Sequence, residues 1–172
     1  MCGIAGYLGK RIISDDVVHH TLESMKNRGP DAQSFSRIND RSQVLLLHSR
    51  LSIIDLDSRS NQPFARGDLS VVFNGEIYNY VELRSELRSL GSTFETESDT
   101  EVLLEAYLKF GEDCVKKFEG MWAFAIYDKR KQKLFLSRDR FAEKPLYYMT
   151  NDDGFYFASE VNFLKELIND KI

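Results

Sequence analysis

Cys2 is the first residue whose type and position suggest chemistry, because it is a thiol at the second position of the chain. An initiator methionine before a small residue such as cysteine is usually removed, and its removal would make Cys2 the N-terminal residue. That residue would hold a thiol with a reference pKa of about 8.5 beside an α-amine of about 7.7–8.0. Such an amine can take the thiol proton near neutral pH and activate the nucleophile. A cysteine that merely happens to be second is the alternative interpretation.

Further polar positions fit either a binding site or an ordinary structural role. Arg50 has a guanidinium fork that suits a carboxylate, and it could equally form a surface ion pair. Asn74-Gly75 lies between apolar residues and is typical of a two-residue β-hairpin turn. Asp99 begins a predicted helix, where a carboxylate interacts favourably with the helix dipole. The run Arg138-Asp139-Arg140 is consistent with a solvated cluster of ion pairs.

Other familiar catalytic and binding motifs do not occur in this sequence. It contains no phosphate-binding G-x-x-x-x-G-K-[ST] loop, no G-x-G-x-x-G pattern and no G-x-S-x-G nucleophile elbow. The chain has three histidines, which are His19, His20 and His48. Their spacing does not indicate a metal site, so we expect no metal and interpret them as surface or partly buried polar residues. Cys114 is interpreted as a small buried hydrophobe.

The composition bounds the kind of protein that must position these residues. The chain has 172 residues and a formal net charge of −4, with 42% hydrophobic and 29% charged residues, which indicates one ordinary globular domain. Mild acidity argues against a nucleic-acid binder, and no apolar run approaches the ~20 residues that span a bilayer. Two cysteines make no disulfide framework, and no signal peptide is visible, so we expect a cytoplasmic domain.

Apolar patterning and capping residues predict the secondary structure. Side-chain caps and helical spacing predict helices that begin after Ser14, Asn79 and Ser98, with a last short helix from Glu160. Apolar runs predict strands at 3–8, 44–47, 71–73, 121–127, 134–136, 146–149 and 155–158. The segment 121–127 has no polar face, so we expect it to be covered on both sides. Because helices segregate from runs of strands, the pattern favours an α+β layered fold.

Six segments in order carry a resemblance to a known family. The opening MCGIAG resembles the start of class II glutamine amidotransferases, whose nucleophile is the N-terminal cysteine. The other segments are RGPD at 28–31, HSRLSIID at 48–55, NGEIYN at 74–79, ESDTE at 97–101, and RDRF with KPLYY between 138 and 148. Together they resemble the glutaminase domain of glutamine-hydrolysing asparagine synthetases over nearly the whole chain. Ala142 stands where relatives commonly have glycine, so their loop backbone is not assumed here.

The resemblance implies a catalytic role for three residues. The thiol of Cys2 would attack the side-chain amide carbon of glutamine, while its own α-amine takes and returns the proton. Asn74 and the backbone N–H of Gly75 would form the oxyanion hole. Ammonia would leave, and water would hydrolyse the γ-glutamyl thioester to glutamate.

The same resemblance implies how glutamine would be held. Arg50 would bind its α-carboxylate and Asp99 its α-ammonium. Glu76 would contact the substrate beside the oxyanion hole, and backbone groups of Leu51 and Ile53 would line the pocket. A non-catalytic glutamine-binding or regulatory module would follow if Met1 is retained. Another N-terminal-nucleophile amidohydrolase remains a further alternative.

The resemblance also implies a fold and a partner. The fold would be that of the N-terminal-nucleophile hydrolases, a four-layer αββα sandwich of mainly antiparallel sheets, with residues 1–172 as one glutaminase domain. The Ser-Gly-Gly-x-Asp-Ser run of the synthetase domain does not occur in this sequence. We therefore expect a separate ATP-dependent synthetase domain or subunit, no cofactor in this domain, and ATP and magnesium only in that partner. A homodimer is a further expectation. Aspartate is the default ammonia acceptor, although relatives amidate sugars and peptides.

Overall fold

The strands of the structure form two antiparallel sheets. A computed structural model describes residues 1–39 and 41–168, so Asp40 and the last four residues of the predicted 1–172 domain lie outside the described range. The strands of the first sheet are β1 (Gly3–Gly9), β2 (Ala32–Asn39), β3 (Gln43–Arg50), β8 (Tyr147–Asn151) and β9 (Gly154–Ala158). Those of the second are β4 (Phe64–Arg66), β5 (Leu69–Ile77), β6 (Gly120–Asp128) and β7 (Lys133–Arg138). The orders are β2-β3-β1-β9-β8 and β4-β5-β6-β7.

Helices cover the outer face of each sheet. They are α1 (Asp15–Met25), α2 (Tyr80–Ser89), α3 (Asp99–Phe110) and α4 (Val161–Ile168), with short 3-10 turns at Ser58–Ser60 and Gly111–Lys117. Side chains of α1 and α4 pack with β1, β3 and β9, and those of α2 and α3 pack with β5 and β6. Within the described ranges, no helix is both long and apolar enough to cross a membrane.

A third apolar cluster fills the space between the two sheets and completes four layers. Ile4 of β1 and Leu46 of β3 meet Val72 of β5 and Ala125 of β6 in this cluster. Every residue of β6 from Trp122 to Asp128 is buried, because alternate side chains enter the helix-side and the inter-sheet clusters. The predicted α+β fold with four αββα layers is therefore confirmed, as is a strand at 121–127 covered on both faces.

The alternation along β1 and β5 places two polar side chains at one end of the inter-sheet space. Cys2 lies two residues before the inward-facing Ile4, and Asn74 lies two residues after the inward-facing Val72. Because side chains of a strand alternate with a period of two, both are directed between the sheets. β1 also pairs with β3 so that Gly3 lies opposite Ser49, which places Arg50 beside Cys2.

The predicted helix starts are found, although their caps differ in detail. Ser14 and Ser98 both accept a hydrogen bond from the third residue after them, as a capping side chain should. Asn79 makes no capping bond, because its amide instead binds the backbone of Lys117 and of Glu119. β2 was not predicted from the sequence, because this edge strand is only half-buried and lacks an apolar run.

Candidate active site

One cavity gathers the residues that were predicted to act in catalysis and substrate binding. It opens at the end of the sandwich where β1 begins and encloses about 620 Å³, including its mouth to solvent. The eight predicted site residues all line it: Cys2, Arg50, Leu51, Ile53, Asn74, Gly75, Glu76 and Asp99. Residues that are up to 97 positions apart in sequence are thus brought to a single concave site, from β1, β3, β5 and the start of α3.

Cys2 presents its thiol to the backbone that follows β3. The Sγ atom donates to Leu51 O at 3.6 Å and accepts from Leu51 N at 3.4 Å. Burial raises the pKa of the Cys2 thiol above its usual value, although the bond from Leu51 and the positive charge of the chain terminus oppose this shift. The thiol therefore remains protonated at neutral pH, and a base close to Sγ is needed to make it a nucleophile.

The RGPD segment at 28–31 contacts Cys2 and the chain beside it. Arg28 donates from Nε to Cys2 O at 3.0 Å and forms an ion pair with Glu160 at 2.8 Å. A side chain at Gly29 would meet the Ser49 carbonyl carbon at 2.3 Å, so only glycine allows this approach to β3. Asp31 accepts a hydrogen bond from Ser52 N at 2.7 Å. The segment thus binds the backbone of Cys2 and the backbone of Ser52, which follows the Leu51 that contacts the thiol.

Asn74 lies inside strand β5 and not in a turn, so the hairpin interpretation of Asn74-Gly75 is wrong. β5 continues through both residues to Ile77 and pairs with β6 along its whole length. The Asn74 side chain is 1% exposed, and its Nδ2 has no hydrogen-bond partner among the described residues. A buried amide donor without a partner is costly, and a negatively charged oxygen beside it would satisfy it.

Gly75 directs its backbone N–H toward the same cavity. The N–H groups of Phe73 and Ile77 point away from β6, because they bind Gln62 Oε1 at 2.6 Å and Asp99 Oδ2 at 3.1 Å. Backbone direction alternates along an antiparallel strand, so the N–H of Gly75 points to the same side. A side chain at Gly75 would meet Met121 O at 2.3 Å, so glycine is required for this close packing.

Asp99 and Glu76 form the negative side of the cavity. Asp99 is the first residue of α3 and is 6% exposed. Burial raises its pKa to about 6, with the nearby negative charge of Glu76 adding to the shift and hydrogen bonds from backbone N–H groups opposing it. A buried carboxylate of this kind gains from a cationic partner, and the α-ammonium of an amino acid is such a partner.

Arg50 forms the positive side and at the same time organises the loop after β3. Its Nη1 donates to Asp57 O at 3.0 Å and to Asn61 Oδ1 at 2.7 Å, while Nη2 donates to Asp55 O. Arg50 is only 6% exposed, so its interpretation as a surface ion pair is wrong. Arg50 lines the cavity, and its terminal N–H groups hold the loop after β3.

The segment that follows β7 is built around a buried carboxylate. Asp139 is 5% exposed and accepts backbone hydrogen bonds from Trp122, Phe141, Glu143 and Lys144. Burial opposes its ionisation, but these bonds hold the pKa of Asp139 below its usual value. Its interpretation as part of a solvated ion-pair cluster is therefore wrong.

Ala142 and Lys144 lie in this same segment. Ala142 has a φ of +57°, the left-handed conformation that glycine adopts most readily. The chain thus keeps a backbone suited to glycine while carrying alanine. Lys144 is 6% exposed, lines the cavity and places its Nζ 3.2 Å from Met1 Sδ.

His48 is fully buried, so its interpretation as a surface or partly buried residue is wrong. Its Nε2 lies 3.2 Å from Phe73 O, and burial lowers its pKa to about 3. His48 is therefore neutral in the folded chain at physiological pH and donates from Nε2. His19 and His20 are exposed, and Cys114 is a buried hydrophobe as predicted. Among residues 1–39 and 41–168, no group of three or more His, Cys, Asp or Glu side chains is placed to hold a metal ion.

Five buried polar residues of the cavity wall were not predicted as site residues. They are Ser60, Gln62, Ser98, Thr100 and Lys144. Thr100 follows Asp99 and Lys144 belongs to the KPLYY segment, so both had a signal in the motifs. Gln62 had none, because a glutamine before a proline in a loop has no distinctive chemistry.

Comparisons with known proteins place the chain in a family. A family model described as a glutamine amidotransferase domain matches residues 1–171. Glutamine-hydrolyzing asparagine synthetase 1 of Bacillus subtilis is 41% identical over 177 residues, which cover 99% of this chain and 27% of that protein. Asparagine synthetase 3 of the same organism is 38% identical over 168 residues, with coverages of 94% and 27%. The chain therefore spans less than a third of the length of these curated relatives.

A solved structure shares the fold at low sequence identity. It is the glutamine phosphoribosylpyrophosphate amidotransferase from B. subtilis in complex with ADP and GMP. The TM-score is 0.78 at 19% identity, over 96% of this chain and 43% of that chain. The predicted N-terminal-nucleophile hydrolase fold is confirmed by this match.

Proposed function

The chain belongs to the class II glutamine amidotransferase domains, and we propose that it hydrolyses the side-chain amide of glutamine through Cys2. Removal of Met1 gives Cys2 a free α-amine, which accepts the proton of the thiol. The thiolate forms a bond to the amide carbon, and the carbonyl oxygen becomes an oxyanion. The α-amine returns the proton to the leaving nitrogen, so ammonia departs and a γ-glutamyl thioester remains. Water then cleaves the thioester to glutamate and restores the thiol.

The observation that carries this proposal is the meeting of a thiol with two directed N–H donors in one cavity. Cys2 supplies Sγ, Asn74 supplies a buried amide without a described partner, and Gly75 supplies a backbone N–H that points into the same space. Such donors stabilise the charge that develops in the transition state, at about 2.7–4 kcal/mol for each.

The charges around the cavity support free glutamine as the substrate. Arg50 contributes a positive charge to the cavity wall, and Asp99 with Glu76 contributes negative charge to the same cavity. An α-amino acid presents a carboxylate and an ammonium group at a fixed separation, so it matches both. Another amide without these two charges would leave the buried carboxylate of Asp99 without a partner. This argues against a general amidohydrolase.

The test combines the mass of the N-terminus with glutamate release. We expect the purified chain to lack Met1 and to release glutamate and ammonia from glutamine in equal amounts. Cys2→Ala should abolish release, and Cys2→Ser should strongly reduce it, while both variants keep the fold by circular dichroism. A variant that retains Met1, produced behind a non-cleavable N-terminal extension, should be inactive because the α-amine is blocked.

Two outcomes would contradict the proposal. Glutamate release by Cys2→Ala at the wild-type rate would exclude the thiol as nucleophile. Undiminished activity with Met1 retained would exclude the α-amine as the base. Glutamine binding without any hydrolysis by the processed chain would instead favour a regulatory glutamine-binding module.

We further propose that the ammonia passes to an ATP-dependent synthetase domain or subunit. The matched relatives named above are asparagine synthetases of which this chain spans 27%. Aspartate is therefore the proposed acceptor. With glutamine, aspartate, ATP and magnesium, residues 1–172 alone should release ammonia without forming asparagine. Asparagine formation by this chain alone would contradict the need for a partner.

A further inference from the structure

Gln62 occupies a buried position between the two halves of the proposed site. It lies just before β4, is 6% exposed and lines the cavity. Its side-chain Oε1 accepts from Phe73 N at 2.6 Å, and its Nε2 donates to Thr100 Oγ1 at 3.1 Å. Both polar ends of one amide are therefore used, and the proposed reaction assigns no role to this residue.

The two partners of Gln62 adjoin residues with proposed roles. Phe73 precedes Asn74 on β5, and Thr100 follows Asp99 on α3. A single planar amide thus connects the oxyanion-hole strand to the helix end that would hold the α-ammonium. Glutamine can do this because its amide has one acceptor atom and one donor atom, which neither a carboxylate nor an apolar side chain offers.

The amide of Gln62 also supplies a hydrogen bond that a longer β4 would otherwise make to β5. β4 pairs with β5 only as far as Phe64 opposite Val71, and Phe73 is the next residue of β5 whose backbone points to that side. Gln62 Oε1 accepts from the N–H of Phe73, and His48 Nε2 lies 3.2 Å from the carbonyl oxygen of Phe73. The N–H and the carbonyl group of the residue before Asn74 are therefore both held by buried side chains.

We propose that Gln62 is a positioning residue, which sets the oxyanion-hole donors of β5 relative to the substrate-holding end of α3. The inference rests on the proposed function. Oxyanion donors act only when they lie about 2.7–3.1 Å from the oxygen that carries the charge. Loss of the Gln62 amide leaves the N–H of Phe73 buried and unpaired, and β5 relaxes at the residue before Asn74. The chemical step therefore suffers more than the binding of glutamine.

The main test is Gln62→Met, which keeps the length of the side chain and removes both hydrogen bonds. The assay measures kcat for each active site, with sites counted by covalent titration of Cys2 with a chloroketone analogue of glutamine. We expect kcat for each titrated site to fall roughly 10- to 100-fold, as for a small misplacement of a catalytic group. KM should change less than kcat. A purely structural role would reduce the number of active sites and leave kcat for each site unchanged.

Gln43→Met is the matched control for this substitution. Gln43 is half-buried at the start of β3, lies opposite Gly9 at the end of β1 remote from Cys2, and does not line the cavity. It should retain a kcat close to that of the wild type. Thr100→Val removes only the bond to α3, and we expect a smaller fall in kcat that is not additive with Gln62→Met.

The outcomes separate this inference from the function on which it rests. If the wild type releases glutamate and Gln62→Met has the same kcat for each site, the positioning role is wrong and the proposed function stands. An equal fall in Gln43→Met would also refute the positioning role. If Gln62→Met does not fold, an unchanged kcat in Thr100→Val refutes the link to α3. A wild type that releases no glutamate refutes both proposals.

Discussion

Replacement of Asp99 by asparagine should stabilise the fold and weaken glutamine binding at the same time. The folded chain raises the pKa of Asp99 from an ordinary 3.8 to about 6, because burial and the charge of Glu76 disfavour the carboxylate. Each pH unit corresponds to about 1.4 kcal/mol, so the ionised side chain costs the fold roughly 3 kcal/mol above pH 6. Asparagine keeps an acceptor oxygen for the N–H of Ile77 and carries no charge.

The sign and the pH range of this effect follow from the two pKa values. Ionisation destabilises the fold fully above pH 6, and the effect disappears as pH falls below 3.8, where Asp99 is protonated in both states. Asp99→Asn should therefore exceed the wild type in free energy of unfolding by up to ~3 kcal/mol near neutral pH. The difference should shrink steadily toward about pH 4. His48 titrates in both proteins, so its contribution cancels in the comparison.

Urea denaturation across this pH range measures the stability difference, and initial rates of glutamate release measure the effect on binding. We expect KM for glutamine to rise in Asp99→Asn, because the α-ammonium loses its charged partner. KM of the wild type should rise as pH falls below about 6. The reasoning is refuted if Asp99→Asn is less stable than the wild type at neutral pH, or if its advantage does not depend on pH.

Three further substitutions test other parts of the site. Asn74→Ala should lower kcat by about 10²–10³ with the fold intact, and an unchanged kcat in steady-state assays would leave Asn74 a structural residue only. Arg50→Ala should raise KM for glutamine and expose the loop at 54–61 to proteolysis, because the guanidinium holds that loop; protease resistance equal to the wild type would contradict the second effect. Ala142→Gly should raise the free energy of unfolding by up to about 1 kcal/mol, because a left-handed alanine costs ~1–2 kcal/mol. The larger conformational entropy that glycine loses on folding offsets part of this gain. A loss of stability on urea denaturation would contradict this account of Ala142.

Much of the fold could be predicted from the sequence because local signals and tertiary packing agree. Ser14 and Ser98 cap helices whose apolar faces cover a sheet, and the run at 121–127 is the strand buried on both faces. β2 was missed because an edge strand with half-exposed side chains needs no apolar run. Asn79 was misjudged because its amide finds partners 38 or more residues away, which no local pattern reveals.

The site was predicted in its membership and not in its geometry. The resemblance to the family named eight of the residues that line the cavity. Without that resemblance, the dipeptide Asn74-Gly75 favoured a turn. Only the pairing of β5 with β6 shows that these two residues lie in a strand. The N–H of Gly75 then points away from β6 and toward the cavity. His48 and Gln62 were missed as parts of the cavity's support, because their importance comes from contacts with Phe73 that lie across the fold.

The shortness of β4 has a consequence for how this domain can be stabilised. β4 has three residues and pairs with β5 only at Leu69–Val71, so the edge of β5 from Phe73 to Ile77 has no neighbouring strand among the described residues and is contacted by side chains instead. A longer β4 would add backbone hydrogen bonds along that edge, and one of them would take the N–H of Gly75. Such a protein would have a more complete sheet, and the proposed oxyanion hole would lose its backbone donor. Under the proposed function, thermal stability and turnover therefore place opposite demands on the length of one strand, and a stabilising design should leave the residues before β4 unchanged.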